Sequence, residues 1–375
     1  MTKRETYLDW NATAPLRPEA IAAATAVLQD CGNPSSVHRR GRRARQLVER
    51  ARGSVAALTG AAPDELTFTS GGTEANHLAL HGVGRERLLV SAIEHSSVLQ
   101  AVPDAERIAI GDDGRVHLDR LEAMLAADAR PALVSVMLAN NETGIVQPVA
   151  EIGRIAHARG ALFHCDAVQA AGKLPFSIKE TGADLLAVSA HKLGGPPGIG
   201  ALIARADLDL APMLRGGGQE RGRRAGTENL PGIAAFGAAA DAAAAGLADY
   251  ARVRQLRDRL EAAAIAVVPE AMVIGANAPR LPNTTALALP GVPAETQVIG
   301  LDLEGVMVSA GAACSSGKVG PSHVLAAMAL PPHITGSTIR VSLGWSTTED
   351  DISHFLDAWT VLARRLFDRA KARAA

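Results

Sequence analysis

The sequence has few cysteines, few aromatic residues and almost no net charge. The three cysteines, Cys31, Cys165 and Cys314, show no Cys-x-x-Cys spacing, which argues against a disulfide framework and a zinc site. The net charge of −1 predicts binding neither to nucleic acid nor to a membrane surface. The N-terminus lacks an apolar signal segment, and the alanine-rich stretch 233–247 is short and carries Asp241. We therefore expect a soluble, cytoplasmic protein.

Two phosphate-binding fingerprints are also missing. No G-x-G-x-x-G sequence occurs in the turn around Ser70, and residues 311–318 miss the P-loop pattern because Val319 stands where Ser or Thr is required. A nicotinamide-dependent dehydrogenase is therefore a distant alternative.

The chain is long, with 375 residues, and 47% of them are hydrophobic. A chain of this size buries about 75% of its unfolded surface, which is enough for two cores.

Short apolar strands alternate with amphipathic helices through the first half of the chain. This alternation predicts an α/β fold with a mainly parallel sheet that is covered on both faces. Helices are expected at 18–29, at about 40–58 and from Ser70 through Leu80, and Pro148 is expected as a first helical residue. The predicted strands are Leu66–Thr69, Arg87–Ser91, Arg107–Ile110, Ala132–Leu138, Ala161–Cys165, Asp184–Val188 and Gly200–Ala204.

The pattern changes after Arg205. A Gly/Arg-rich loop at 216–226 is followed by an alanine-rich helical region to about residue 264, and then by fewer strands. We expect a smaller α+β domain of residues 1–15 and 263–375 beside a large domain of residues 16–262. The predicted strands of the smaller domain are Thr284–Leu289 and Thr338–Leu343, and its predicted helices are Ala294–Leu303, Ser322–Met328 and Glu349–Lys371.

The segment Val188-Ser189-Ala190-His191-Lys192 places polar side chains where a buried strand ends and a glycine-proline loop begins. Strand ends are where open α/β sheets concentrate their chemistry. Desolvation there disfavours the ammonium form of a lysine and makes its amine available for carbonyl chemistry. We infer that Lys192 forms an imine with an aldehyde cofactor, and the alternative is a solvated loop lysine.

Polar groups also follow other strands of the predicted sheet. Gly72 and Thr73 either present backbone amides to a phosphate at a helix start or form a plain helix cap. Asp166, with Gln169 three residues on, either holds a protonated ring nitrogen and its neighbouring ring oxygen or caps a helix. Each of these features has an ordinary structural interpretation when it is taken alone.

Two further strand ends carry candidates. His95 is placed to stack on a flat cofactor or to cap a helix, and the pair Asn140 and Asn141 either turns the chain or presents amides to a ligand. All these groups and Lys192 follow successive strands of one predicted parallel sheet. Core packing does not require that coincidence. The convergence therefore favours a site for pyridoxal phosphate, whose protonated ring acts as an electron sink.

The C-terminal part adds Cys314 and Arg340. Small residues surround Cys314, which is typical of a mobile loop from which a thiolate acts as a nucleophile. Cys31 and Cys165 are predicted to be ordinary buried or edge cysteines. Arg340 lies in a strand pattern and needs an anionic partner, either a substrate carboxylate or a structural ion pair.

Taken together, the motifs resemble those of the cysteine desulfurases, pyridoxal-phosphate-dependent enzymes of the class V aminotransferase superfamily, and most closely the nitrogen-fixation-type branch. The resemblance runs from Tyr7 to the C-terminal helix. It is carried by Gly32-Asn33-Pro34-Ser35-Ser36-Val37-His38, Thr69-Ser70-Gly71-Gly72-Thr73-Glu74, Ala139-Asn140-Asn141-Glu142-Thr143-Gly144, His164-Cys165-Asp166-Ala167-Val168-Gln169, Ser189-Ala190-His191-Lys192 and the stretch from Gln219 to Asn229.

The resemblance implies a fold-type I transferase-like large domain with a seven-stranded sheet, a smaller α+β domain and a role for each candidate. Lys192 would bond covalently to pyridoxal 5'-phosphate, and Asn141 and Arg340 would orient the substrate carboxylate. Thr227 would reach the phosphate in the neighbouring subunit, which implies a homodimer. The remaining implied contacts are His95 stacked on the ring, Asp166 at the ring nitrogen, Gln169 at the ring hydroxyl oxygen, and Gly72, Thr73, Ser189 and His191 at the phosphate.

The implied reaction converts L-cysteine to L-alanine and leaves the sulfur as a persulfide on Cys314. An iron–sulfur scaffold or another acceptor protein would then receive the sulfur. The chain departs from the family pattern at Pro197, Ala312 and Gly320, none of which removes a chemically active group, and its short tail weakens any claim of a specific partner. The alternatives are an aminotransferase, a selenocysteine lyase, or a cofactor-binding regulatory or assembly protein.

Overall fold

The computed structural model describes residues 4–30, 32–311 and 322–374. Seven of the strands in these ranges form a central sheet, and the others form two smaller sheets. All the strands, in chain order, are β1 (Thr6–Tyr7), β2 (Leu66–Thr69), β3 (Arg87–Ser91), β4 (Glu106–Ile108), β5 (Ala132–Ser135), β6 (Leu162–Asp166), β7 (Leu185–Ser189), β8 (Gly200–Ala204), β9 (Met272–Val273), β10 (Thr284–Ala288), β11 (Val306–Met307), β12 (Ser309–Ala310) and β13 (Thr338–Ser342).

Helices lie between most of these strands. They are α1 (Pro18–Leu28), α2 (Arg39–Thr59), α3 (Gly72–Gly82), α4 (Ser96–Leu99), α5 (Leu118–Ala127), α6 (Val149–Ala158), α7 (Ile178–Thr181), α8 (Leu230–Ala245), α9 (Tyr250–Val267), α10 (Ala294–Leu303), α11 (His323–Ala327), α12 (Pro332–Thr335) and α13 (Glu349–Ala374). Short 3₁₀ helices occur at Pro63–Glu65, Ala190–Lys192, Gln219–Gly222 and Leu247–Asp249.

The central sheet has the strand order β2-β8-β7-β6-β5-β3-β4. Strands β3 to β7 pair in parallel, whereas β8 is antiparallel to both of its neighbours. Alternate residues of β5 enter different cores, since Val134 packs with residues of α2 and α8 and Leu133 packs with residues of α3. Both faces are therefore covered, and the predicted α/β class with a mainly parallel seven-stranded sheet is confirmed.

The reversal of β8 makes a hairpin with β7. Ser189 pairs with Gly200, so residues 190–199 connect antiparallel neighbours and carry Lys192 in a short 3₁₀ turn. A Cβ atom at Gly200 would lie 2.6 Å from the carbonyl carbon of Gly71, so a side chain has no room there. Glycine therefore lets Gly71, just after β2, approach the start of β8, which pairs with the end of β7.

The alanine-rich helix α8 packs closely against α1 and α2. A Cβ atom at Gly237 would lie 2.6 Å from the Cα atom of Ala51, and the buried face of α8 is built largely of alanine and glycine. Small side chains permit that approach, which accounts for the composition. No single helix in the described ranges is long and apolar enough to cross a membrane, although α8 and the helical residues after it, bent by 54°, have the combined length and composition.

A second core lies under an antiparallel sheet of order β12-β13-β10-β9. The N-terminal segment joins it, because β1 pairs with β11 and Leu8 is buried there. Helix α9 contributes Val253, Leu256 and Leu260 to this core and spans the predicted domain boundary at residue 262. The exact division of the chain into two domains remains a prediction.

Some predicted element ends differ from the structure. The strand predicted at Ala132–Leu138 ends at Ser135, and the apolar residues after it are buried beneath the site without full sheet pairing. Residues 168–173 form consecutive turns, so the helix considered after Asp166 is absent there. Pro148 caps α6 from the position before its first helical residue. The spacing of apolar residues in the sequence therefore does not show where these elements begin and end.

A buried ion pair fixes the Gly/Arg-rich loop to the sheet. The Nη1 and Nη2 atoms of Arg52 each donate to a carboxylate oxygen of Glu220 at 2.9 Å, and the backbone N–H of Phe68 in β2 donates to the same carboxylate at 2.8 Å. Both side chains of the pair are 4% exposed. The loop is therefore anchored beside the end of β2.

Arg52→Ala is expected to lower the free energy of unfolding by about 3–5 kcal/mol, because it leaves the Glu220 carboxylate buried without its cation. Urea unfolding followed by circular dichroism measures the change. The control is Arg50→Ala on the exposed side of the same helix, expected to change stability by less than about 0.5 kcal/mol. Equal effects of the two variants would contradict a structural role for the pair.

Candidate active site

One cavity of about 330 Å³ lies at the carboxyl ends of the parallel strands. It brings together ten of the predicted site residues, although they come from widely separated parts of the chain. These are Gly72, Thr73, His95, Asn141, Asp166, Gln169, Ser189, His191, Lys192 and Arg340. The cavity is also lined by Asn11, Ala12, Asn76, Ser97, Met137, Ala139 and Val168, which the sequence analysis did not identify.

The Lys192 amine is held by the N-terminal segment of the chain. Its Nζ atom donates to the main-chain oxygens of Asn11 at 2.6 Å and Ala12 at 2.8 Å. The neighbouring imidazole of His191 contacts Thr13, with 3.2 Å between Nδ1 and Oγ1. Burial, followed by the positive charge of Lys192, lowers the pKa of His191 to about 4. The amine is thus placed in the cavity beside a neutral imidazole.

A chain of hydrogen bonds links His95 to Asp166. The Nδ2 atom of Asn76 donates to Ser97 Oγ and to Asp166 Oδ2, both at 2.8 Å. The Nδ1 atom of His95 accepts from the backbone N–H of Ser97 at 3.1 Å, so its hydrogen is on Nε2 when the ring is neutral. Burial is the main cause that lowers the pKa of His95. His95 therefore caps α4 and also lines the cavity as a neutral ring.

Asp166 has a free approach on the cavity side and fixed partners elsewhere. Its Oδ1 atom accepts from the backbone N–H of Val168 at 2.9 Å within a turn, so the helix cap considered from the sequence is not formed. The residue is 6% exposed and lines the cavity. Asn76, four residues into α3, was missed because a polar residue on a helix carries no sequence signal for a partner on another strand.

Arg340 reaches the cavity from β13 and already has an acid partner. Its Nη2 atom donates to Asp9 Oδ1 at 2.6 Å, and its Nη1 atom donates to the main-chain oxygen of Asn141 at 3.1 Å. Its Nε atom is buried without a hydrogen-bond partner among the described residues. The structural ion pair considered from the sequence is therefore present.

The start of α3 is suited to an anion. Gly71 occupies the capping position and supplies no side-chain cap, and no other described side chain is seen to accept a hydrogen bond from the first turn of the helix. A Cβ atom at Gly72 would lie 2.9 Å from Cγ2 of Val168, so the bare backbone is needed at this wall of the cavity. Unpaired N–H groups and the helix dipole favour a phosphate at that end.

The remaining predicted residues are Thr227 and the three cysteines. Thr227 lines a separate cleft of about 140 Å³, with Ser70 and Arg224, and not the main cavity. Cys314 and Cys31 fall outside the described residues. Cys165 is fully buried, and burial raises the pKa of its thiol well above the usual range, which confirms the prediction of an ordinary buried cysteine.

Glu94 is a buried acid that the sequence analysis passed over. It is fully buried next to His95, and its Oε1 atom accepts from Ser91 Oγ and, at 2.8 Å, from the backbone N–H of Met137. Burial raises the pKa of Glu94 to about 8, and the two hydrogen bonds oppose this effect. The folded protein therefore keeps the carboxyl group protonated at neutral pH.

Because the unfolded chain loses this proton at about pH 4.3, Glu94 is expected to make stability fall as pH rises from there to about 8. Glu94→Gln should remove this dependence, so the variant gains stability relative to the wild type by an amount that grows across the interval, on the order of a few kcal/mol. Urea unfolding of the cofactor-free proteins at about pH 5 and about pH 8 measures the difference. Parallel pH profiles would show that Glu94 is ionised in the folded state.

The cavity combines an amine, a carboxylate, a neutral imidazole and an uncapped helix start at the carboxyl edge of a mainly parallel sheet. These groups fit a flat aldehyde cofactor with a protonated ring nitrogen and a phosphate. Fold and site together define an enzyme that works with pyridoxal phosphate.

The sequence model of the family described as aminotransferase class-V matches residues 6–355, and the chain belongs to that family. A cysteine desulfurase of Cereibacter sphaeroides is 45% identical over 366 residues, which are 94% of this chain and 94% of that relative. The X-ray structure of a NifS-like protein from Rickettsia africae is 36% identical, has a TM-score of 0.89, and covers 96% of this chain and 99% of that one. The structure of SspA in complex with cysteine is 28% identical, with a TM-score of 0.78 over 90% of this chain and 98% of that one. The predicted family and cofactor are confirmed.

Proposed function

We propose that the protein is a cysteine desulfurase, which converts L-cysteine to L-alanine and transfers the sulfur to Cys314. The observation that carries this proposal is the single cavity that gathers Lys192, His95, Asp166 and Gln169 at one sheet edge. The names of the relatives support the choice among pyridoxal-phosphate enzymes, since a desulfurase is similar over nearly the whole chain and SspA was solved with cysteine.

The chain's own residues divide the work. Pyridoxal phosphate, when bound, supplies an electron sink for charge that develops at the substrate Cα atom. The Lys192 amine would take the proton from Cα, and Asp166 would keep the ring nitrogen protonated. Asn141 and Arg340 would orient the substrate carboxylate. Gly72, Thr73, Ser189 and His191 would hold the phosphate.

The sulfur step needs no external oxidant. The Cys314 thiolate attacks the sulfur of the substrate, an S–S bond forms, and the C–S bond of cysteine breaks. The β-carbon gains two electrons and a proton to become the methyl group of alanine, while the two sulfur atoms together lose two electrons. The products are alanine and a persulfide on Cys314, which then passes its outer sulfur to an acceptor.

The finer parts of the proposal concern assembly and location. Thr227 lies outside the main cavity, which suits a residue that serves the phosphate of a second copy, so we include a homodimer. An iron–sulfur scaffold or another sulfur acceptor is the protein partner, and a role in nitrogen fixation is one candidate pathway. We also propose that the reaction takes place in the cytoplasm.

The test is to incubate the cofactor-loaded protein with L-cysteine and a thiol and to measure alanine and sulfide. Equal amounts of the two products are expected. Transfer of the amino group to a 2-oxo acid, without formation of sulfide, would instead identify an aminotransferase. Faster release of selenide from selenocysteine than of sulfide from cysteine would identify a selenocysteine lyase. Absence of both products would overturn the desulfurase proposal.

A further inference from the structure

Lys173 is a second lysine close to the cavity, and it has no place in the proposed reaction. It is 3% exposed and does not line the cavity. Its Nζ atom donates to Gln169 Oε1 at 2.9 Å and to Asn11 Oδ1 at 3.1 Å. Among the described residues no carboxylate lies within ion-pair distance of it. Lysines are almost never buried without an ionic partner, so this one requires an explanation.

The first consequence concerns the orientation of the Gln169 amide. A side-chain amide has a donor end and an acceptor end, and its neighbours decide which end faces which way. Lys173 supplies a donor, so the Oε1 atom of Gln169 points to it and the Nε2 atom points away. That Nε2 atom donates to the main-chain oxygen of Asn11 at 3.0 Å, at the wall of the cavity.

The second consequence concerns Asn11, whose backbone holds the catalytic lysine. Its main-chain oxygen accepts from Lys192 Nζ at 2.6 Å and from Gln169 Nε2. Its side-chain oxygen accepts from Lys173 and, at 3.1 Å, from Asn283 Nδ2. Lys173 therefore contacts the Gln169 amide directly and reaches the amine of Lys192 through Asn11.

The surroundings of Lys173 also lower the pKa of its amine. Burial lowers the pKa of Lys173 well below its usual range, and the positive charges of Lys192 and Arg340 lower it further. The groups around its Nζ atom are the amide oxygens of Gln169 and Asn11, both neutral. Both oxygens accept from its Nζ atom, so hydrogen bonds satisfy the buried amine although no carboxylate among the described residues pairs with it.

We propose that Lys173 is a positioning residue that fixes the Gln169 amide with its N–H groups toward the cofactor's ring hydroxyl oxygen and fixes Asn11 against the Lys192 amine. An oxygen on the cofactor ring accepts a hydrogen bond, so only the Nε2 end of Gln169 is useful there. Without Lys173, the Gln169 amide can rotate and turn its Oε1 atom toward the ring hydroxyl oxygen of the cofactor, where two acceptors would face each other. The inference rests on the proposed cofactor site but not on the sulfur chemistry.

The test compares binding of pyridoxal phosphate to the cofactor-free wild type and to Lys173→Met, which keeps the chain length and removes the donor. We expect about tenfold weaker binding, the loss of roughly one hydrogen bond to a buried acceptor, and a shifted absorbance maximum of the bound cofactor. The matched control is Lys179→Met on the exposed face of α7, expected to bind as the wild type does.

A double-mutant cycle with Gln169→Ala shows whether Lys173 acts through the amide. In the Gln169→Ala background, Lys173→Met should weaken binding by less than about twofold, because the shared interaction is already absent. Lys173→Leu, which also lacks a donor, replaces Lys173→Met if that variant does not fold. Equal affinity and an unchanged spectrum for Lys173→Met, or fully additive losses in the cycle, would overturn the inference. Failure of the wild type to bind the cofactor would instead contradict the proposed function.

Discussion

Replacing Lys192 by alanine is expected to abolish the absorbance of the covalently held cofactor and to lower cysteine turnover by about 10⁴-fold or more. The Nζ atom of Lys192 is the amine that the structure holds in the cavity, against two main-chain oxygens of the N-terminal segment. Alanine removes the amine that is proposed to form the covalent link and to take the Cα proton. The absorbance spectrum and the rate of alanine formation measure the two losses separately.

Lys179→Ala is the control for this variant, because Lys179 is exposed on α7, away from the cavity. Its spectrum and turnover should match those of the wild type. The cofactor is expected to remain bound to Lys192→Ala without the covalent link, since the phosphate end of the cavity is intact. A Lys192→Ala enzyme that retained the wild-type spectrum would show that another amine carries the cofactor.

Cys314→Ser is expected to keep the cofactor absorbance and to lose alanine and sulfide production from cysteine by about 10³-fold or more. A hydroxyl group at that position cannot form the persulfide, whereas the groups that hold the cofactor are unchanged. Spectra of the loaded protein and an assay of both products separate the two expectations.

The control for Cys314→Ser is Cys165→Ala, because the Cys165 thiol is fully buried in β6. Burial keeps this thiol protonated, so it cannot act as a nucleophile, and turnover should be retained. Normal turnover by Cys314→Ser would support an aminotransferase. Complementation of a deletion strain by Cys314→Ser would support a regulatory or assembly role in place of catalysis.

The fold class and most of the cavity could be predicted from the sequence because they depend on local patterns. Apolar strands with polar ends, read in order, located Lys192, Asp166 and His95, and a parallel sheet then brings such ends to one edge. The resemblance to a known family assigned the roles, which spacing alone left open. Each of these candidates lies within a few residues of a strand end.

The remaining groups could not be predicted because their partners are distant in sequence. Asn11, Asn76 and Lys173 carry no motif of their own. Their meaning appears only when the folded chain brings Asn76 to Asp166, 90 residues away, and Lys173 to Asn11, 162 residues away. The ion pair of Arg340 with Asp9 spans 331 residues, and the sequence left it as one of two alternatives.

The contacts of Asn11 also determine when the site can form during synthesis. Asn11 leaves the ribosome early, but its backbone N–H donates to Ser342, 331 residues later, and its side chain donates to Thr284, 273 residues later. At roughly 5–20 residues per second, those partners follow on the order of tens of seconds behind. The Lys192 amine therefore gains its main-chain acceptors only when the chain is nearly complete, and a nascent chain stalled before β13 should not retain the cofactor.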